Sequence, residues 1–232
     1  MSVSALAKQL FASEATVRRE LRRLEERGAV IRTHGRAVAV SAYADRNEGF
    51  LPRALTASPH KRKIAEAAVA ALVREGDVVM LDASSTVCHA VEALAACKDI
   101  IVITSGLRTQ ALLAEAGIRF YATGGRAIND SLSFVGQTAI DTVKSFHADI
   151  ALVSCHGVSD TGFATDTSEQ ENDLRRAMLE RAARRVLLVD STKIGRGCWH
   201  SLCDLSLFDD VFCDAPLPPQ LAERVRCFHL VE

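Results

Sequence analysis

Four short stretches of this chain carry residue types that can hold a phosphate. Asp82-Ala83-Ser84-Ser85-Thr86 follows an apolar run at 78–81, and Thr104-Ser105-Gly106 follows another at 100–103. Gly124-Gly125-Arg126 comes after Phe120-Tyr121-Ala122, and Lys193 lies just past a run that ends at Asp190. Hydroxyls and free backbone N–H groups suit phosphate oxygens. Glycines let the backbone approach closely, and a lysine adds a compact positive charge. The Asp82 carboxylate would accept from ligand hydroxyls. Taken singly, Ser84, Ser85, Thr86 and Ser105 read as ordinary helix N-caps and Lys193 as a surface cation. Four such loops at the carboxyl ends of strands point instead to one anion site. His89 and His156 are further candidates to face a ligand.

A second set of residues suits a polyanion. Ser13 is placed as an N-cap, and Val17, Leu21 and Leu24 recur at helical spacing over a helix from about 14 to 27. If that stripe faces a core, Ala15, Arg19, Arg22, Arg23 and Glu26 face away from it, with Arg18 at the edge. Arginine is suited to guanine edges and to phosphates. Ser13 and Thr16 sit at the positive end of the same helix. Arg32, His34 and Arg36 lie in a basic turn between two short apolar runs, the pattern of a wing. Lys8 is a further backbone-contact candidate.

The elements needed to position these residues are legible. A short helix carrying Leu6 and Leu10, a turn, the basic helix and the hairpin make a winged helix-turn-helix over 1–40, with a polar linker over 41–59. From 60 to 232, helices alternate with short, almost wholly apolar strands, including 78–82, 100–104, 150–153, 186–190 and 211–214. Strands of that composition are buried on both faces, which implies a mainly parallel sheet. A long charged helix spans about 168–183.

Residues 1–40 carry eight Lys/Arg against four Glu, whereas the remainder carries 20 basic and 25 acidic residues, so the near-neutral total hides a basic head on an acidic body. That asymmetry suits a head that meets nucleic acid. No apolar run approaches a membrane span and no signal-peptide pattern opens the chain, so the expected location is cytoplasmic. Seven cysteines, an odd number without Cys-x-x-Cys, read as buried small hydrophobes in a reducing compartment. Cys198, His200 and Cys203 lack a second close pair, so no metal and no cofactor are expected.

Ser13-Glu14-Ala15-Thr16-Val17-Arg18-Arg19-Glu20-Leu21, then Leu24-Glu25-Glu26-Arg27-Gly28, then Arg32-Thr33-His34-Gly35-Arg36-Ala37 resembles the head of the DeoR/GlpR family of bacterial regulators. The likeness continues through Leu81–Thr86, Thr104-Ser105-Gly106, Thr123–Arg126, Phe134-Val135-Gly136, Ala148-Asp149 and Asp190–Gly195, in family order and over nearly the whole chain. The resemblance implies a sensor domain similar to ribose-5-phosphate isomerase and the CoA-transferase-type fold, with a sugar-phosphate effector. Three departures stand out. The helix that usually precedes the position of Val3 is missing, so a head lacking its first helix is expected. Arg36 replaces a wing glycine. Ser154-Cys155-His156-Gly157 replaces a loop that commonly reads Gly-x-x-Gly.

The expected function is therefore a DNA-binding transcription regulator, a repressor, controlled by a phosphorylated sugar or similar metabolite. Its DNA contacts are expected from Ser13, Thr16, Arg18, Arg19, Arg22, Arg32, His34 and Arg36. Its effector contacts are expected from Asp82, Ser84, Ser85, Thr86, Thr104, Ser105, Gly124, Gly125, Arg126 and Lys193. One helix-turn-helix reads one half-site, so a homo-oligomer, dimer or tetramer, is expected on double-stranded operator DNA. Two alternatives stay open: an isomerase-like enzyme with Asp82 as base beside Lys193, and an oligomeric sensor without DNA binding. The isomerase's acidic Asp-Gly-Ala-Asp-Glu loop has no counterpart here, so a regulator rather than an enzyme is expected.

Overall fold

The structure is a computed structural model that describes residues 7–8, 12–26, 30–33, 36–39, 49–55 and 58–232. The chain divides into two compact units, Met1–Glu48 and Gly49–Glu232.

In the first unit, Ser13 caps helix α1 (Glu14–Glu26), its Oγ accepting the Thr16 N–H at 3.1 Å. Val17 and Leu21, one turn apart, are buried with Ala7, while Arg18, Arg19 and Arg23 stay exposed. Strands β1 (Val30–Thr33) and β2 (Arg36–Ala39) pair antiparallel with Thr33 opposite Arg36, which is the hairpin that the basic turn predicted. His34 lies outside the described residues, as do the side chains of Arg22, Leu24, Arg32 and Arg36.

The second unit opens with α2 (Phe50–Leu55) and α3 (Ser58–Leu72). Part of the stretch read as a linker over 41–59 is thus helical: the Phe50 N–H donates to the Asp130 carbonyl and anchors α2 to the body. There follow β3 (Val78–Leu81), a 3-10 turn (Val87–His89), α4 (Ala90–Leu94), β4 (Ile101–Thr104), α5 (Leu107–Glu115) and β5 (Phe120–Ala122). A small hairpin, β6 (Arg126–Ile128) and β7 (Ser133–Val135), precedes α6 (Gln137–Lys144) and β8 (Ala148–Val153). Next come β9 (Gly157–Val158), β10 (Phe163–Asp166), α7 (Glu169–Arg181) and β11 (Ala182–Leu188). The chain closes with β12 (His200–Asp204), β13 (Asp210–Cys213), α8 (Pro219–Ala222) and β14 (Phe228–Leu230). The long helix stops at Arg181, two residues before the expected end, because Ala182 already pairs with Ala148 in the sheet.

Seven strands form one sheet in the order β14-β13-β11-β8-β3-β4-β5, and every neighbouring pair is parallel. Side chains alternate strictly between its faces. Val79, Leu81, Val102, Ile150, Leu152, Val186, Leu188 and Phe212 meet α3, α4 and α5 on one side. Met80, Ile103, Ala151, Val153, Leu187, Val189, Val211 and Cys213 meet α6 and α7 on the other, where the three-stranded sheet β12-β10-β9 also packs. Each large apolar side chain removed from water here contributes roughly 1.5–3 kcal/mol. The predicted parallel sheet is present, and the two small antiparallel sheets were not foreseen. Because β3, β4 and β5 step one way from the middle while β8, β11, β13 and β14 step the other, the order reverses between β3 and β8. That reversal leaves a crevice beyond their carboxyl ends, the usual ligand position in such sheets.

The glycine pair after β5 is where backbone freedom is required. Gly124 and Gly125 have φ of 64° and 103°, and a Cβ on Gly125 would lie 2.6 Å from the Val135 carbonyl oxygen, whereas one on Gly124 would meet nothing within 4 Å. Gly124→Ala should therefore cost about 1 kcal/mol, and Gly125→Ala about 3 kcal/mol or more. Urea titrations of the two variants check this, and equal losses would show that the close approach at Gly125 is easily relieved.

Candidate functional site

Arg175, on the buried face of α7, organises the carboxyl edge of the sheet. Its Nε donates to Asp82 Oδ2 at 2.7 Å, and its Nη1 donates to Asp166 Oδ2 at 2.8 Å and to Asn172 Oδ1 at 3.2 Å. Its Nη2 lies 3.9 Å from Glu171 Oε2. All five side chains are buried. Asp82 completes its coordination with backbone groups: Oδ1 accepts the Ser84 N–H at 3.0 Å and Oδ2 accepts the Ser154 N–H at 3.3 Å. This ties the loop after β3 to the loop after β8, across the topological switch. Asp166 accepts the Thr167 and Ser168 N–H groups in the turn before α7, which Ser168 caps, and also meets His156 Nδ1 at 2.9 Å. Burial alone would raise the Asp166 carboxyl, but the Arg175 charge and the His156 hydrogen bond hold it far below the usual carboxylate range. For Arg175 burial is likewise outweighed, and Asp166, Asp82 and Glu171 hold its guanidinium firmly charged.

A group of cations sits beside this cluster. Lys193 Nζ donates to Ser154 Oγ at 2.9 Å and to Thr86 Oγ1 at 3.3 Å, with Asp190 Oδ2 farther off at 3.9 Å. Lys61, from the first turn of α3, is buried and donates to the Arg53 carbonyl on α2. Burial, together with repulsion from Lys193, pushes the Lys61 ammonium down to about 8. Burial also lowers Arg53, against the pull of Glu171 and Asp166.

The predicted effector residues divide accordingly. Asp82, Ser84, Thr86 and Lys193 come together at the crevice. Asp82, expected to accept a ligand hydroxyl, has both oxygens committed to Arg175 and to backbone N–H groups. Ser84 Oγ accepts the Val87 N–H at 3.0 Å, so this side chain caps the 3-10 turn. Ser85 is buried, and its carbonyl accepts from Cys88 Sγ. Thr104 Oγ1 accepts the Gly106 N–H at 3.1 Å within its own loop, and the Ser105 carbonyl accepts the Phe134 N–H at 2.8 Å, which braces the β6–β7 hairpin. Gly124 and Gly125 form the close turn already described. Arg126 is exposed and donates to Gln170 on α7, not to the Lys193 group.

Sequence reasoning missed Arg53, Lys61, Asp166 and Arg175. One signal was present: Glu171, Arg175 and Met178 recur at i, i+4 and i+7, so charged residues share the helix face that buries Leu174 and Met178. Lys61 and Arg53 gave no such signal, since they fall where the chain reads as linker and helix start.

Comparison with known proteins defines the class first. A model of the DeoR-like helix-turn-helix domain matches residues 1–42, and a model of the DeoR C-terminal sensor domain matches residues 56–215. The chain is 33% identical over 212 residues to the HTH-type transcriptional repressor GlcR of Bacillus subtilis, covering 91% of this chain and 80% of that protein. It is 31% identical over 220 residues to the L-fucose operon activator of Haemophilus influenzae, covering 95% and 88%. Among solved structures, ribose 5-phosphate isomerase A of Methanocaldococcus jannaschii is similar with a TM-score of 0.45 at 19% identity, over 60% of this chain and 55% of that one. This chain belongs to the DeoR family of transcriptional regulators.

Two outcomes are expected from the buried charges. Arg175→Met should cost about 3–5 kcal/mol, because Asp82 and Asp166 would be left unpaired out of water; a loss below 1 kcal/mol in urea would show that the cluster is not stabilising. Lys61 gives a pH signature. Below pH 8 both the folded and unfolded states hold its proton, and the cost of burying the charge is full. Between about 8 and its ordinary 10.5 the unfolded state binds more protons, so stability rises with pH by up to about 3 kcal/mol. The difference between wild-type and Lys61→Met urea midpoints from pH 7.5 to 10 should carry that slope, and parallel curves would refute it.

Proposed function

We propose that this chain is a cytoplasmic, DNA-binding repressor that acts as a homo-oligomer and is controlled by a phosphorylated sugar bound at the carboxyl edge of its parallel sheet. The observation that carries the effector reading is the convergence of Lys193, Thr86, Ser154, Lys61 and Arg53 beside the carboxylates that Arg175 pairs. Cations that are wholly or partly removed from water and repel one another favour a dianion among them, and hydroxyls and N–H groups at the strand ends supply its hydrogen bonds. In this reading Thr86, Ser154 and Lys193 hold the phosphate, Lys61 and Arg53 add charge, and Ser84 and Asp82 fix the loop. No helix among the described residues is long and apolar enough to cross a membrane.

On the DNA side, Arg18 and Arg19 are exposed on α1 beside the Ser13–Thr16 cap. Arg19 and Arg22 would read base edges, with Arg18, Arg32, His34, Arg36, Ser13 and Thr16 holding phosphates. Catalysis is not part of the proposal. Asp82, which an isomerase mechanism would need as a free base, accepts from Arg175 and two N–H groups.

Gel-shift titration with the operator region of the neighbouring genes tests the first half: Arg19→Ala/Arg22→Ala should weaken binding by roughly 2–6 kcal/mol if each reads a base, and unchanged affinity would rule out α1 as the reader. Calorimetry with sugar phosphates tests the second: Lys193→Ala should lose about tenfold or more in affinity. The bound effector should shift operator affinity about 5- to 150-fold. A Lys193→Ala variant that binds the best ligand as wild type does would place the phosphate elsewhere.

A further inference from the structure

A hydroxyl-bearing ligand at this edge needs an acceptor, and Asp82 is buried with both oxygens already accepting, from Arg175 and from the Ser84 and Ser154 N–H groups. The loop after β8 offers one. Cys155 packs into the core, and the two residues that flank it, Ser154 and His156, are the ones that carry polar contacts. Ser154 Oγ accepts from Lys193, and His156 Nδ1 lies 2.9 Å from Asp166 Oδ1. Asp166 is a carboxylate bound to Arg175 and two backbone N–H groups, so it has no proton to give. The hydrogen between them must sit on Nδ1, which donates. In the neutral ring Nε2 then presents a lone pair. That atom is buried and has no hydrogen-bond partner among the described residues. A buried acceptor held in one tautomer and one orientation by an ion cluster, two residues from a side chain that Lys193 contacts, is the kind of group that reads a ligand rather than one that holds the fold.

We infer that His156, oriented by Asp166, is a specificity residue of the effector site and accepts a hydrogen bond at Nε2 from a carbon-borne hydroxyl of a sugar phosphate. The inference rests on the sugar-phosphate reading above. It assigns the phosphate to the cations and the sugar to His156. Asp166 is a positioning residue: its carboxylate fixes which ring nitrogen is the acceptor. A ligand without a hydroxyl at that point leaves Nε2 unpaired and binds less well.

The test is calorimetry on the full chain with ribose 5-phosphate, hexose 6-phosphates and glycerol 3-phosphate, and with inorganic phosphate as the probe that lacks a carbon-borne hydroxyl. His156→Ala should weaken the best sugar phosphate about 10- to 100-fold while inorganic phosphate changes less than twofold. His156→Gln places a carbonyl oxygen near the position of Nε2 and should recover much of the loss. Among monodeoxy analogues of the best ligand, one should bind wild type about tenfold more weakly than the parent, and that penalty should vanish in His156→Ala. Should the alanine variant fail to fold, wild type against His156→Gln on the deoxy series decides the matter. In that comparison the glutamine variant should keep the same deoxy penalty in reduced form. Equal weakening of sugar phosphate and phosphate, no weakening of either, or a deoxy penalty independent of residue 156 would overturn the role of His156 and leave the effector reading intact. A wild-type chain that binds none of the sugar phosphates would overturn the effector reading first, and this inference with it.

Discussion

Arg175 is almost wholly removed from water, and a guanidinium in that position is tolerable only if anions meet it on several sides. Asp82, Asp166 and Glu171 do so from three different parts of the chain: the end of β3, the end of β10, and its own helix. Each of these carboxylates has further partners. Asp82 takes N–H groups from Ser84 and Ser154, Asp166 takes those of Thr167 and Ser168 before α7 and holds His156, and Glu171 accepts from Ser133 at the β6–β7 hairpin. The cluster therefore joins the central strands to the helix that covers them and to the hairpin beside it. The sheet supplies most of the burial, but the geometry of its carboxyl edge depends on this set of charges.

The same cluster decides which groups at that edge remain available. Three carboxylates in a crevice would ordinarily repel a phosphate. Here Arg175 and backbone donors offset part of that charge, and Lys193, Lys61 and Arg53 add three cations beside it. Lys61 carries the strain of that arrangement, since burial and Lys193 both oppose its charge. A lysine lowered in this way becomes more basic when an anion comes close, so anion binding and proton uptake at Lys61 are linked.

Much of this was legible in the sequence, for identifiable reasons. The parallel sheet showed because strands buried on both faces must be apolar throughout, as in Val78–Leu81 and Ile101–Thr104. The loop at 82–86 and Lys193 stood out because small hydroxylated residues and a cation recur where apolar runs end, and the structure brings Thr86 and Lys193 within hydrogen-bond distance. Helix α1 showed through Ser13 and the Val17–Leu21 spacing. What stayed hidden depends on long-range pairing. Asp82 looks like a free acceptor until Arg175, 93 positions away, is folded against it. The antiparallel strands β9, β10 and β12 are two to five residues long and half polar, so no periodicity announces them. Lys61 and Arg53 acquire meaning only once α2 and α3 close over the strand ends, and a polar stretch with two prolines reads as linker until then.

A division of labour follows from this arrangement on the reading proposed here. Attraction of a phosphate to Lys193, Lys61 and Arg53 is nearly indifferent to what the phosphate is attached to, so it supplies affinity and little discrimination. Discrimination has to come from a directional group whose partner is missing in the wrong ligand, because leaving such a group unpaired out of water weakens binding more than a lost van der Waals contact does. Directionality in turn needs rigidity: an imidazole free to rotate would offer either nitrogen and reject nothing. Asp166 provides that rigidity for His156, and Arg175 provides it for Asp166. The ion cluster that shapes the fold at this edge is thus also what would make a selective site of a merely cationic one.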